Sequence, residues 1–108
     1  EAQRLKLAAE MMERGPGNGL YIFDEPTTGL HYHDIQFLMN AFSELLNRGN
    51  SLIVIEHNME VIKCADVIVD LGPEGGERGG NIVYQGPLKG ILKESNSHTG
   101  QYLRPYIK

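Results

Sequence analysis

Two short apolar runs, with a segment of helical periodicity between them, constrain the fold of this chain more than any other feature. Leu20-Tyr21-Ile22-Phe23 is bounded by Gly19 and Pro26, and Leu52-Ile53-Val54-Ile55 lies between Ser51 and Glu56. Runs this short and continuous have the pattern of strands buried on both faces. Between them Ile35, Leu38, Met39, Phe42, Leu45 and Leu46 trace one apolar face from Tyr32 to Arg48, and Gly49-Asn50 supplies a stop. A strand, a helix and a strand joined by a crossover of this length predict parallel pairing. The fold class is therefore α/β, a partly parallel sheet with flanking helices.

The flanks extend this frame. Leu5, Ala8, Ala9 and Met12 predict a helix over residues 1–13, ended by Gly15-Pro16-Gly17-Asn18-Gly19. Residues 58–64 read as a short helix. Residues 67–71 and 81–85 read as strands of a C-terminal β-hairpin, joined by the glycine-rich stretch 72–80. Pro87 fits a helix start that Leu88, Ile91 and Leu92 would dock, and the polar end from Ser95 is expected to be irregular until Tyr102-Leu103. A length of 108 residues predicts a single core. The sequence begins without Met and already in helical periodicity, which suggests a piece of a longer chain.

Composition narrows the function. With 41% hydrophobic and 22% charged residues the chain is of globular type. A net charge of -4 gives no broad attraction to phosphates, so direct DNA binding by this chain is not expected. The single cysteine, Cys64, excludes an internal disulfide and a multi-cysteine zinc site, and is expected to be a small buried apolar group. No apolar run nears the ~20 residues that span a bilayer, and the start lacks a basic-then-apolar signal, so a cytoplasmic location is expected.

Parallel strands release their carboxyl ends on one sheet edge, where open α/β folds bind ligands. Asp24-Glu25 and Glu56-His57 therefore converge. Phosphoryl transfer needs a hard oxygen ligand for magnesium, a group that orients water, and a donor toward the transferred phosphate. Asp24, Glu25 and His57 are the candidates. The plain alternatives are acids that are solvated or cap a loop, and an ordinary buried histidine. His31 and His33 with Asp34 are expected to be solvated rather than a metal site. The glycines of 72–80 do not precede a helix and read as a turn, while Tyr21 and Tyr84 read as packing residues.

The run from Leu20 through Asp24-Glu25-Pro26-Thr27-Thr28-Gly29-Leu30 to His31 resembles the Walker-B and D-loop segment of the ABC ATPase superfamily. His57 falls at the position of that superfamily's switch histidine. More narrowly, the Thr-Thr-Gly-Leu-His ending, Ile55-Glu56-His57-Asn58 and Asp70-Leu71-Gly72-Pro73-Glu74-Gly75-Gly76 are similar to the C-terminal part of the second ABC ATPase domain of the UvrA family. Where transporters commonly place Asp in the D-loop, this chain has His31, as UvrA proteins do. Residues 1–8 look like the second half of the ABC signature.

The resemblance implies a fragment of a P-loop NTPase domain with ATP and magnesium as cofactors. It implies that Asp24 holds magnesium through water, that Glu25 polarises the attacking water, and that His57 is catalytic. It also implies that Gln3, Arg4, Thr28, Gly29, Leu30 and His31 border the nucleotide. The parent is expected to recognise DNA damage in nucleotide excision repair, as a homodimer acting on damaged DNA with the UvrB subunit. Zinc is expected only in parts of the parent outside this chain. Neither G-x-x-x-x-G-K-[ST] nor an equivalent occurs here, so the chain alone is expected to be inactive. The competing readings are an ABC ATPase of a transporter or another DNA-maintenance protein, and a non-catalytic interaction module. A transporter is expected to have a more typical D-loop and no Gly-Pro-Glu-Gly-Gly turn.

Overall fold

In the computed structural model, Leu20–Asp24 forms β1 and Ser51–Ile55 forms β2, paired in parallel with Leu20 opposite Ser51 and Asp24 opposite Ile55. Residues 17–72 and 80–107 are described. The helix expected over 1–13, the signature-like segment 1–8 with Gln3 and Arg4, and residues 73–79 of the glycine-rich stretch lie outside them.

The crossover between β1 and β2 contains α1, Tyr32–Asn47, whose buried residues Ile35, Leu38, Ala41, Phe42 and Leu45 follow helical spacing. Leu38, Ala41 and Phe42 form a core against Phe23, Leu52 and Val54 of the sheet and Leu30 of the connecting turn. The Phe23 and Phe42 rings are tilted at 47° with centroids 4.9 Å apart, within the range where aromatic pairs attract.

The helix ends because Gly49 takes φ +94°, a left-handed value that costs glycine little. Its N–H donates to the carbonyl of Leu46 and that of Asn50 to Leu45, the two bonds of a Schellman motif. The buried Asn50 side chain donates to the Leu45 carbonyl and accepts from the Gly19 N–H, both at 2.9 Å. One side chain thus ties the helix end to the chain entering β1.

The sheet departs from the two-sided burial that its apolar runs predict. Phe23, Leu52 and Val54 pack under α1, whereas Leu20, Ile22, Ile53 and Ile55, which alternate with them, are 50 to 64% exposed. The period of two sends alternate side chains to opposite faces, and α1 covers one of them.

The chain divides into two compact units, residues 1–57 and 58–108. Among the described residues, Leu38, Ala41 and Phe42 cluster in the first unit and Ile68, Ile91 and Leu103 in the second, where β3 pairs with β4. In the second unit, α2 is the short helix Met59–Ile62, capped by the Asn58 side chain, which accepts from the Glu60 N–H. Strands β3, Val67–Gly72, and β4, Asn81–Pro87, form the expected antiparallel hairpin, with an irregularity between Asp70 and Leu71. Cys64 is exposed rather than buried, with its thiol toward the Glu60 carbonyl. It follows a single helical turn whose buried residue is Val61.

The end of the chain is not irregular. A 3-10 segment, Leu88–Lys93, is followed by α3, His98–Leu103, and a final 3-10 turn, Arg104–Tyr106. The fully buried Ser97 starts α3: its hydroxyl accepts from the Gly100 N–H and donates to Asp70 at 2.6 Å. Thr99 donates to the other Asp70 oxygen. Leu103 and Ile91, fully buried, then join Ile68 in the second core. Among the described residues no helix is long and apolar enough to cross a membrane.

Candidate functional site

The parallel register brings the ends of β1 and β2 out side by side. The Glu25 N–H donates to the Ile55 carbonyl at 2.8 Å, one step beyond the last paired residues. At that point Glu25 takes φ +48°, a left-handed value that side chains other than Gly, Asn and Asp seldom adopt. The chain then turns sharply, with the Thr28 N–H donating to the Glu25 carbonyl and the Leu30 N–H to Thr27. Pro26 and Thr27 are buried in this turn, and Gly29 takes φ +78°.

His57 leaves β2 on the same edge, and its Nε2 lies 3.6 Å from Glu25 Oε1. The histidine side chain is 84% exposed and the glutamate 50% exposed, so water screens the contact between them. Asp24, next along the chain, is exposed, and its carboxylate makes no side-chain hydrogen bond or ion pair among the described residues. Hard carboxylate oxygens open to solvent suit magnesium, which keeps much of its water shell and takes one or two protein carboxylates. Among the described residues no group of three or more His, Cys, Asp or Glu has the geometry of a protein-enclosed metal site.

The remaining sequence candidates are distributed along the turn. Thr28, Gly29 and Leu30 lie within it, but Leu30 packs against the α1 core. His31 ends the turn as the exposed N-cap residue of α1, with no capping bond from its side chain. The two tyrosines behave as packing residues: Tyr21 stacks on Phe23, and Tyr84 joins the second core while its hydroxyl donates to the Pro87 carbonyl.

The sequence pattern places Glu56 at this edge but carries no sign that Thr27 meets it there. In the structure Glu56 Oε2 accepts from the Thr27 hydroxyl at 2.8 Å and from the Thr27 N–H at 3.3 Å. Its other oxygen accepts from the His57 N–H at 3.0 Å. The signal available beforehand was the parallel register, which sets Glu25 beyond Ile55 and so turns the residues after Pro26 toward residue 56.

No protein-family model matches the chain. All 108 residues align with UvrABC system protein A from Rhizobium meliloti at 55% identity and from Aquifex aeolicus at 54%. The alignment with the protein of that name from Bradyrhizobium diazoefficiens is 56% identical over the same length. The chain spans 11 to 12% of the length of these relatives. Among solved structures, UvrA2 from Deinococcus radiodurans superposes with a TM-score of 0.84 at 42% identity, covering 94% of this chain and 12% of that one.

Proposed function

We propose, for a chain whose whole length matches a segment of the UvrA family, that Asp24, Glu25 and His57 are the magnesium and water side of an ATP-hydrolysing site. The observation that carries this reading is the approach of Glu25 and His57 to 3.6 Å at the shared edge of two parallel strands. Open α/β sheets bind ligands at this edge. The left-handed backbone at Glu25 adds support, since sparsely populated conformations gather at functional sites.

In this reading the longer parent is an ABC ATPase that recognises DNA damage in nucleotide excision repair. It works in the cytoplasm as a homodimer, with damaged DNA and the UvrB subunit as partners. Asp24 would hold magnesium through water, and the metal when bound neutralises charge on the phosphates. Glu25 orients the attacking water and accepts its proton at a carboxylate oxygen. His57 presents an imidazole N–H toward the transferred phosphoryl group, a donor where negative charge gathers. Thr28, Gly29, Leu30 and His31, with Gln3 and Arg4, border the nucleotide. This chain alone lacks the amides and lysine of a P-loop, which supply most phosphate binding in such sites, and so is inactive by itself.

The test is magnesium-dependent ATP turnover by the longer protein carrying Glu25→Gln, in the present numbering. The amide keeps the shape and loses the base, so kcat should fall by about 100-fold or more. Unchanged turnover would remove Glu25 from the role of general base.

A further inference from the structure

We propose that Glu56 is a positioning residue, a carboxylate clamp that holds the turn after Glu25 against the backbone of His57 and so sets the distance between those two side chains. The inference rests on the reading of Glu25 and His57 given above. A left-handed backbone at Glu25 is disfavoured, and such a conformation persists only where its surroundings over-determine it. On one side it is fixed by the bond from the Glu25 N–H to the Ile55 carbonyl. On the other side the turn carries Thr27, only 8% exposed, and both Thr27 donors end on Glu56 Oε2.

The second oxygen fixes the carboxylate on its own strand end. Glu56 Oε1 accepts from the N–H of the next residue, His57, which orients the carboxylate so that Oε2 crosses to Thr27 and ties the turn after Glu25 to the segment bearing His57. These bonds have an ionised acceptor and are part-buried at Thr27, where charge-assisted bonds are strong. Glutamine cannot reproduce the arrangement. It has one acceptor oxygen, and the amide that replaces the other would face either the His57 N–H or the Thr27 N–H with a donor of its own.

The experiment measures kcat and KM for ATP in the longer protein bearing Glu56→Gln, Thr27→Val, Thr27→Ser and the Glu56→Gln/Thr27→Val pair, with Glu25→Gln alongside. Glu56→Gln and Thr27→Val should each lower kcat about tenfold or more, with KM within about twofold, because a displaced base weakens the transition state and not nucleotide binding. Thr27→Ser keeps the hydroxyl and should stay within about twofold of wild type. The double variant should be no slower than the slower single one, since both substitutions break the same contact. Amide hydrogen exchange across residues 25–30 should rise about tenfold in Glu56→Gln, a readout independent of what Glu25 does chemically.

Wild-type kcat in both Glu56→Gln and Thr27→Val, with turnover lost in Glu25→Gln, overturns the clamp and leaves the general base standing. Unchanged exchange across 25–30 overturns it too, as do losses that multiply in the double variant or a Thr27→Ser as slow as Thr27→Val. Wild-type turnover in Glu25→Gln removes the general base, and the exchange and double-variant results then decide the clamp by themselves.

Discussion

Glu25 occupies a backbone conformation that its own side chain disfavours, with φ at +48°. A left-handed residue other than glycine costs about 1–2 kcal/mol, and the carboxylate at that position faces His57. Glu25→Gly should therefore separate stability from activity. Glycine relieves the strain but adds chain entropy to the unfolded state, for a net change of about 0.5 kcal/mol toward greater stability. Turnover in the longer protein should at the same time be lost. A rise in the denaturation midpoint, with ATP turnover measured on the same sample, checks both halves. Asp24, Glu25 and His57 were legible as candidates because an acid or histidine directly after an apolar run must leave the sheet at its edge. The conformation of Glu25 was not, since glutamate has no preference for the left-handed region. Thr27 was illegible for another reason: its partner Glu56 is 29 residues away.

At the scale of elements, β1, α1 and β2 follow the sequence pattern closely, and the joint that holds them depends on Asn50. The buried Asn50 side chain serves the Leu45 carbonyl and the Gly19 N–H together. Asn50→Ala leaves both groups without that partner and should cost about 2 kcal/mol. Native-state hydrogen exchange of the β1 and β2 amides would register the loss, and no change there would refute the assigned role. The helix stop at Gly49-Asn50 was legible because glycine just past an amphipathic run has one common use. Helix α3 was not, because its polar residues give little periodic signal. It is fixed instead by the Ser97 cap, by the bonds of Ser97 and Thr99 to Asp70, and by the burial of Leu103.

On the scale of the molecule, the chain divides into two compact units, and its sequence contains no G-x-x-x-x-G-K-[ST] loop. Each unit has an open apolar face among the described residues: Leu20, Ile22, Ile53 and Ile55 in the first, and Val67, Val69, Leu71 and Ile82 in the second. ATP with magnesium should produce no thermal shift in the isolated 108-residue chain, because a ligand stabilises only in proportion to its binding. A clear shift would show that the carboxylate edge holds nucleotide unaided. The sequence by itself determined the parallel strand–helix–strand unit, the hairpin and the edge at which Asp24, Glu25 and His57 gather. Periodicity and strand direction belong to contiguous residues, and they survive in any short stretch read alone. Only the tertiary structure decided which sheet faces are covered, that Glu25 is left-handed, and that Glu56 grips Thr27. Those outcomes rest on contacts between distant residues, whose partners become known only once the chain has folded.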